Sequence, residues 1–320
     1  MSRPWWQRLV LRLPWLRTWR SRRERSLAER QHHLAEKRRL QAELEVLRAE
    51  LQERSERGRS GAPADETAPF SLRPAPPPSG LLFSDWVRQQ VEAEPYWFQR
   101  IELGPTVVTP GWSDPRTEKL PYFGLPGDLT GKRVLDIGCA EGFFSFEAER
   151  RGAREVVAID SIPDSIRRFN ICRAALGSGA NAFLCSVYNL DPRTFGTFDL
   201  VLFYGVFYHL RHPQLALEKV LSVCTGTMLF QSFVEDHHAF RDEPAGVFHP
   251  HGLMSGTRHE VWDPTTFWVF NGAACKALIE SAGFEDVEVG SSAPRPFVVR
   301  ARSPVQAPGR PPDPATAPWS

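Results

Sequence analysis

From about residue 134 to residue 301, short apolar runs alternate with segments of helical periodicity. Val134 to Ile137 is apolar except for Asp136 and too short for a helix, and it breaks into two glycines four apart, Gly138 and Gly142, before a periodic segment begins. The same reading predicts strands over 134–137, 155–159, 182–185, 198–203 and 227–234, with helices over 143–151, 164–176, 213–222 and 271–282. Paired strands near 285–290 and 296–301, joined by a short turn, predict an antiparallel edge hairpin. Strands alternating with helices predict an α/β fold with a mostly parallel sheet, helices on both faces, and ligands outside the carboxyl ends of the strands.

The pattern changes outside that core. Residues 24–57 contain no Gly or Pro and read as one charged helix. Leu40, Leu44, Leu47 and Leu51 follow the 4-3-4 spacing of a coiled-coil seam, while Leu27 and Leu34 fall out of phase, so self-association and a solitary solvated helix are both open. Residues 58–80, with Pro63, Pro69, Pro74, Pro76, Pro77 and Pro78, read as a linker, and residues 303–320 as a proline-rich disordered tail. Residues 1–23 form a basic arm rich in Trp and Arg, suited to an anionic membrane surface, to RNA phosphates, or to resting on its own protein. The folded domain is therefore expected over 81–302. It opens with a short helix at Ser84-Asp85-Trp86-Val87, followed by the aromatic stretch Tyr96 to Leu103 and an extended turn from Val107 to Pro115.

With 320 residues, 42% of them hydrophobic, the chain can bury one full domain plus appendages. A formal charge of +1 gives no global argument for nucleic acid, so any such argument rests on local patches such as Arg151, Arg154, Arg167, Arg168 and Arg173. Five cysteines without a Cys-x-x-Cys fit a reducing, cytoplasmic compartment. No segment reaches the apolar length of a membrane span, and the arm lacks the core and cleavage site of a signal peptide.

Candidate chemistry clusters at the predicted strand ends. Gly138 and Gly142 let backbone approach a ligand, but no third glycine follows at dinucleotide spacing and Asp136 precedes the turn, which favours a nucleoside over a pyrophosphate. Asp160, ending the second strand, is placed to accept hydrogen bonds from two ribose hydroxyls. Together these suggest S-adenosylmethionine. The alternative is an ordinary βαβ unit whose acids cap helices. Asn189 is suited to an adenine edge and Tyr188 to stacking on it, or both belong to a plain turn. Phe203-Tyr204-Gly205-Val206-Phe207-Tyr208-His209 presents hydroxyls and an imidazole at the top of the sheet, with Tyr208 favoured over His209 as the residue acting on the transferred group. Glu235, Asp236, His237 and His238, with His249, His251 and His259, are dense enough to permit a metal, yet their spacing fits no zinc pattern, so no metal is expected and a solvated substrate-facing loop is preferred.

The segments VLDIGCAEGFFSF, VVAID, FDLVLFYGVFYHLRHP and DPTTFWVFNGAACKALIESAGFEDVEV, with YWFQRIELGPTVVTPGWSDP and DLTGK upstream, resemble the Rossmann-like class I methyltransferases related to bacterial enzymes that modify the wobble uridine of tRNA. The resemblance covers roughly Tyr96 to Arg302. It implies a cofactor loop at Gly138, with Ala140 where the common pattern has Gly, and a ribose-binding acid at Asp160 followed by Ser161. It also implies an adenine-side pair at Tyr188 and Asn189, and contacts to the reactive end from Tyr204 and Tyr208. Trp112 and Lys119 fall near a Trp and a Lys of the pre-core segment, and Arg295 resembles a late Arg that binds the extra carboxylate of a carboxymethyl donor. The Lys that shares that task does not carry over, since Phe98 stands at its place. The resemblance therefore implies plain methyl transfer from S-adenosylmethionine, with the carboxylated derivative as the lesser alternative and tRNA as acceptor. Two further readings stay open: a methyltransferase of a small molecule or glycan near a membrane, and a non-catalytic cofactor-binding scaffold.

Overall fold

The fold is laid on β1, Arg133–Ile137, a strand with apolar neighbours on both sides. It pairs in parallel with β2, Glu155–Asp160, and with β4, Phe198–Tyr204. β3, Asn181–Leu184, adds outside β2, and β5, Cys224–Ser232, adds outside β4, both parallel. β8, Glu285–Ser291, and β9, Phe297–Arg302, complete a seven-stranded sheet in the order β3-β2-β1-β4-β5-β9-β8, β9 running antiparallel to β5 and to β8. The mostly parallel sheet and its antiparallel edge are those expected from the sequence. The computed structural model describes residues 82–235, 243–250, 252, 265–291 and 296–306. The arm, the charged helix, the linker, nearly all of the tail and Arg295 lie outside the described residues.

Parallel strands buried on both faces are near-continuously apolar, because each face must meet a helix layer. Val134, Val156, Ala158, Leu200 and Leu202 pack on one side against Phe143, Phe146 and Phe169, together with Trp86, Val87 and Val91. Leu135, Ile137, Val157, Ile159, Val201 and Phe203 pack on the other against Leu217, Val220, Cys275 and Ile279. The first layer comes from α1 (Phe83–Ala93), α3 (Phe143–Arg150) and α4 (Pro163–Leu176), the second from α6 (Pro213–Val223) and α7 (Gly272–Ser281). Short α2 (Pro115–Glu118) and α5 (Pro192–Phe195) each start with an Asp side chain accepting a backbone N–H and a proline at the first turn, where a missing donor costs nothing. All five cysteines are free thiols. No helix among the described residues is long and apolar enough to cross a membrane.

Two differences from the sequence reading have local causes. β5 starts at Cys224 rather than 227, because α6 runs straight into it without a connecting turn. The register slips between Phe198 and Leu200, and Gly226 passes so close to the carbonyl of Asp199 that a Cβ would collide with it. A small antiparallel ribbon, β6 (Gly246–Phe248) with β7 (Trp268–Phe270), occupies part of what reads as loop in the sequence. The close pass at Gly226 predicts that Gly226→Ala lowers unfolding stability by roughly 1–3 kcal/mol, the cost of forcing extra volume into a packed site. Chemical denaturation of the two proteins measures it, and unchanged stability would show that the bulge can open.

Candidate active site

The loop after β1 turns through left-handed backbone at Gly138 (φ 70°), Ala140 (φ 49°) and Gly142 (φ 97°). Gly138 and Cys139 donate their N–H groups to Ile159 O at 2.8 and 3.1 Å, which ties the loop to the end of β2. A Cβ at Gly138 would strike the Val206 side chain, and one at Gly142 would come 2.5 Å from the Phe169 ring. These glycines are therefore demanded by protein packing as well as by room for a ligand. Ala140 holds its left-handed geometry with the help of Asp160, whose Oδ2 accepts the Ala140 N–H at 3.0 Å. Asp160 Oδ1 accepts from Ile162 N at 2.9 Å, just ahead of α4. Thus Asp160 does cap the following turn, and both of its oxygens are engaged by backbone N–H groups. Burial pushes its carboxyl up and the Glu141 charge adds to the rise, against the lowering effect of backbone bonds from Ile162, Ala140 and Ser161. Ser161 beside it is exposed.

Asp136 is buried in β1, and its Oδ2 accepts from the Ser145 hydroxyl at 2.6 Å. Burial pushes it up to about 6, the Ser145 bond opposing and the Asp160 charge adding to the rise. Glu141, which the sequence reading passed over, is wholly buried. Its two oxygens accept the N–H groups of Phe98 and Gln99, each at 3.0 Å, and Arg168 Nε approaches at 3.2 Å. Gln99 answers with its own side chain: Oε1 accepts from Phe143 N at 3.0 Å, at the first turn of α3. The pre-core segment and the loop are thus latched reciprocally, as in a capping box built from residues far apart in sequence. The segment is braced internally where Thr109 Oγ1 donates to Gln99 O and accepts from Ile101 N, and Gly111 crosses too close to the Gln99 carbonyl for any Cβ.

Phe98, held by that latch, has Trp112 edge-on at 5.0 Å and the Lys119 ammonium over its ring at 4.6 Å. Trp112 is exposed and donates its indole N–H to the Tyr96 hydroxyl at 3.0 Å. Burial lowers Lys119, with the Glu118 and Glu141 charges opposing. Trp112 and Lys119 are therefore brought together on one ring, although seven positions separate them in sequence.

On the other wall, the Tyr204 ring is buried against Phe123 and Phe144, and its hydroxyl donates to Phe123 O at 2.8 Å. The Tyr188 hydroxyl accepts from His212 N at 3.0 Å, joining the 3-10 turn Val187–Asn189 to the start of α6, while Asn189 is exposed. Tyr208 lies in a second 3-10 turn, Phe207–His209; a Cβ at Gly205 would sit 3.6 Å from its hydroxyl and 3.7 Å from Gln231 Oε1. That places the hydroxyl above the carboxyl end of β4. The His209 ring lies 4.2 Å from that of Tyr208, and its Nδ1 is 3.1 Å from Thr265 O and 2.9 Å from Thr265 Oγ1. Among the described residues no group of His, Cys, Asp and Glu has the arrangement to hold a metal ion. Asp236, His237, His238, His251 and His259 lie outside the described residues.

A family model described as "Methyltransferase domain" matches residues 112–289. The chain is 28% identical over 163 residues to a tRNA U34 carboxymethyltransferase of Proteus mirabilis (strain HI4320), covering 50% of this chain and 47% of that protein. It is 29% identical, with the same coverage, to the enzyme of that name from Aliivibrio salmonicida (strain LFI1238). The chain spans about half the length of these curated relatives. Among solved structures, the N-terminal domain of EvdMO1 with SAH bound is similar with a TM-score of 0.51 and 20% identity over 70% of this chain and 98% of that one. The same domain in the presence of SAH and D-fucose gives 0.50 and 22%, over 71% and 100%. At that identity the likeness is one of fold.

The latch predicts that Glu141→Ala destabilises by about 3–5 kcal/mol, since it strands Arg168 and two buried backbone donors. Limited proteolysis should then cut first in the stretch 96–113, and wild-type protection there would show that the latch is dispensable. Asp136 gives a pH signature. Its folded carboxyl lies near 6 against an ordinary 3.8, so the folded state holds the proton more tightly, and stability from this group falls as pH rises from about 4 through 6. Asp136→Asn should remove that fall. Thermal unfolding between pH 4 and 7 tests it, and an unchanged slope would mean that Asp136 is ionised throughout.

Proposed function

The chain belongs to the methyltransferase-domain family, matched over 112–289, and from that premise we propose that it is an S-adenosylmethionine-dependent methyltransferase acting on RNA, at the wobble uridine of a tRNA. One observation carries the cofactor reading. Asp160 is a buried carboxylate at the carboxyl end of β2, fixed through both oxygens by backbone N–H groups of the adjoining loops, and a carboxylate so held can accept ribose hydroxyls on its remaining lone pairs. Vicinal ribose hydroxyls fit that spacing, and the left-handed loop Gly138 to Gly142 keeps side chains out of the way beside it. When bound, S-adenosylmethionine supplies an activated sulfonium methyl, so the protein's work is alignment and exclusion of water.

In this reading Asp160 holds the ribose, Asp136 steadies the loop through Ser145, and Tyr188 with Asn189 flanks the adenine. Phe123 and Phe144, stacked, and Tyr204, tilted against both, close the wall beneath the reactive end and exclude water there. Tyr208, its hydroxyl above the sheet top, orients the acceptor oxygen, and His209, tethered through Nδ1 to Thr265, receives or passes its proton. An acidic hydroxyl on a modified uridine needs only a weak base. The Trp112–Phe98–Lys119 group lines the donor side. Phe98 stands where a carboxylate-binding lysine would be needed, so the transferred group is methyl rather than carboxymethyl, in contrast to the activity that the names of the curated relatives give them. The domain acts in the cytoplasm, residues 1–23 add phosphate contacts, and residues 24–57 give self-association.

Methyl-labelled S-adenosylmethionine incubated with the purified chain and total tRNA should place label in an RNase-sensitive fraction; label confined to a small-molecule extract would overturn the RNA reading. Asp160→Ala should weaken cofactor binding tenfold or more, the loss of two hydrogen bonds to a charged acceptor. Tyr208→Phe should lower kcat by about tenfold or more with cofactor affinity unchanged. Wild-type turnover in Tyr208→Phe would remove that hydroxyl from the reaction.

A further inference from the structure

The ribbon β6–β7 carries a row of aromatic rings that the reaction as proposed does not use. Phe270 is buried and packs on Phe207 at 5.4 Å, the residue immediately before Tyr208. Trp268 lies parallel to Phe270, with centroids 5.0 Å apart and planes 8° apart, and Phe248 lies 4.9 Å beyond Trp268. Gly246 lets this happen, since Phe270 lies across it where any Cβ would collide. Three ring-to-ring steps thus lead from the Tyr208 turn out to solvent, where Phe248 is 42% exposed and its neighbour Val247 56% exposed.

The row is fixed to the site by backbone. Phe267 N donates to Tyr208 O at 2.8 Å, and Trp268 Nε1 donates to Arg211 O at 3.4 Å. Arg211 is exposed, and its guanidinium lies over the Phe267 ring, 4.1 Å from the centroid. An open aromatic face next to a pre-oriented guanidinium is the pairing that binds single-stranded nucleic acid: the ring stacks a base and the cation takes a phosphate. A lipid surface would instead favour apolar side chains spread over a convex patch with several cations around them.

The geometry points to Phe248 as a stacking platform for an unpaired base flanking the target nucleotide, with Arg211 on the intervening phosphate. The inference rests on the RNA reading of the same site and names where the rest of the loop would lie. The reacting nucleotide sits at Tyr208, and ring contacts of 5.4, 5.0 and 4.9 Å separate that turn from Phe248, so the platform takes a flanking base rather than the target itself. A base splayed onto Phe248 would also hold the target out of its own stack, which an enzyme needs before it can reach a ring substituent.

The test uses the full chain saturated with S-adenosylhomocysteine and a fluorescent RNA stem-loop with a tRNA anticodon sequence, read by anisotropy. Phe248→Ala should weaken binding about tenfold, the order of one lost base stack, with affinity for S-adenosylhomocysteine unchanged. Phe248→Tyr should restore it. The difference between wild type and Phe248→Ala should vanish when the bases flanking the target are replaced by abasic sites, an outcome that mere loosening of the ribbon would not produce. Arg211→Gln should lower the salt dependence of binding by about one ion. Equal RNA affinity for wild type and Phe248→Ala would overturn the platform alone. Failure of the wild-type chain to bind the stem-loop would overturn the RNA reading together with it. Loss of binding to phosphatidylglycerol vesicles in Phe248→Ala, with RNA affinity intact, would assign the ring to a membrane and overturn the proposal.

Discussion

A carboxylate with no exposed surface has to be paid for locally, and Glu141 is the group on which the geometry of the site depends. Removed from water, it is tolerable only because two backbone donors and Arg168 replace the lost hydration. Those partners come from opposite directions. Phe98 and Gln99 lie before the sheet begins, and Arg168 lies in the helix that follows β2. Arg168 is shared with Glu94, 3.9 Å away, and Glu94 in turn holds Arg167 through two short bonds. The end of α1, the pre-core segment, the β1 loop and α4 are thereby joined through one network of charges. The consequence reaches the ligand side, because the ring that Trp112 and Lys119 share belongs to Phe98.

The sheet supplies the other half of the arrangement. Parallel register brings the ends of β1, β2 and β4 to one edge, so that Gly138, Asp160 and Tyr204 come out together although 22 and 44 residues separate them. The loops there are in contact with one another. Val206, after β4, fills the space that a side chain at Gly138 would need, and the carboxylate after β2 fixes the backbone after β1. A change in one loop is therefore felt in the next.

The core strands and long helices were legible because burial on two faces forces long apolar runs, a signal that does not depend on knowing the partner. The β6–β7 ribbon was not. Each strand has three residues, they lie about twenty apart, and neither shows alternation long enough to read. β5 was read late because a helix passing directly into a strand leaves no turn residue to mark the junction. In the site, the placement of Asp160 and the two glycines at strand ends was visible because it follows from where the apolar runs stop. Glu141 was not, since a glutamate in a loop reads as solvated until tertiary contacts close over it; the one available hint was its place between small residues and a run of phenylalanines. Aromatic residues gave position without direction. Tyr204 was read as meeting a ligand, and its hydroxyl is engaged by Phe123 O; Tyr188 was read as a stacking ring, and its hydroxyl anchors the start of α6.

The acids around the loop also bear on what can bind there. Asp136 and Asp160 both have raised carboxyls, chiefly from burial, and each lies in the field of another acid, Asp160 for the first and Glu141 for the second. Within this group Arg168 is committed to Glu141 and Glu94, while Lys119 lies over the Phe98 ring. Asp136 and Asp160, beside the proposed ribose site, are therefore held chiefly by hydrogen bonds, from Ser145 to the first and from backbone N–H groups to the second. An anionic phosphate placed beside them would meet like charge. A ligand carrying hydroxyls for Asp160 and a cationic sulfur, as proposed for this site, meets no such repulsion, and a cation brought near the buried acids favours their ionised forms.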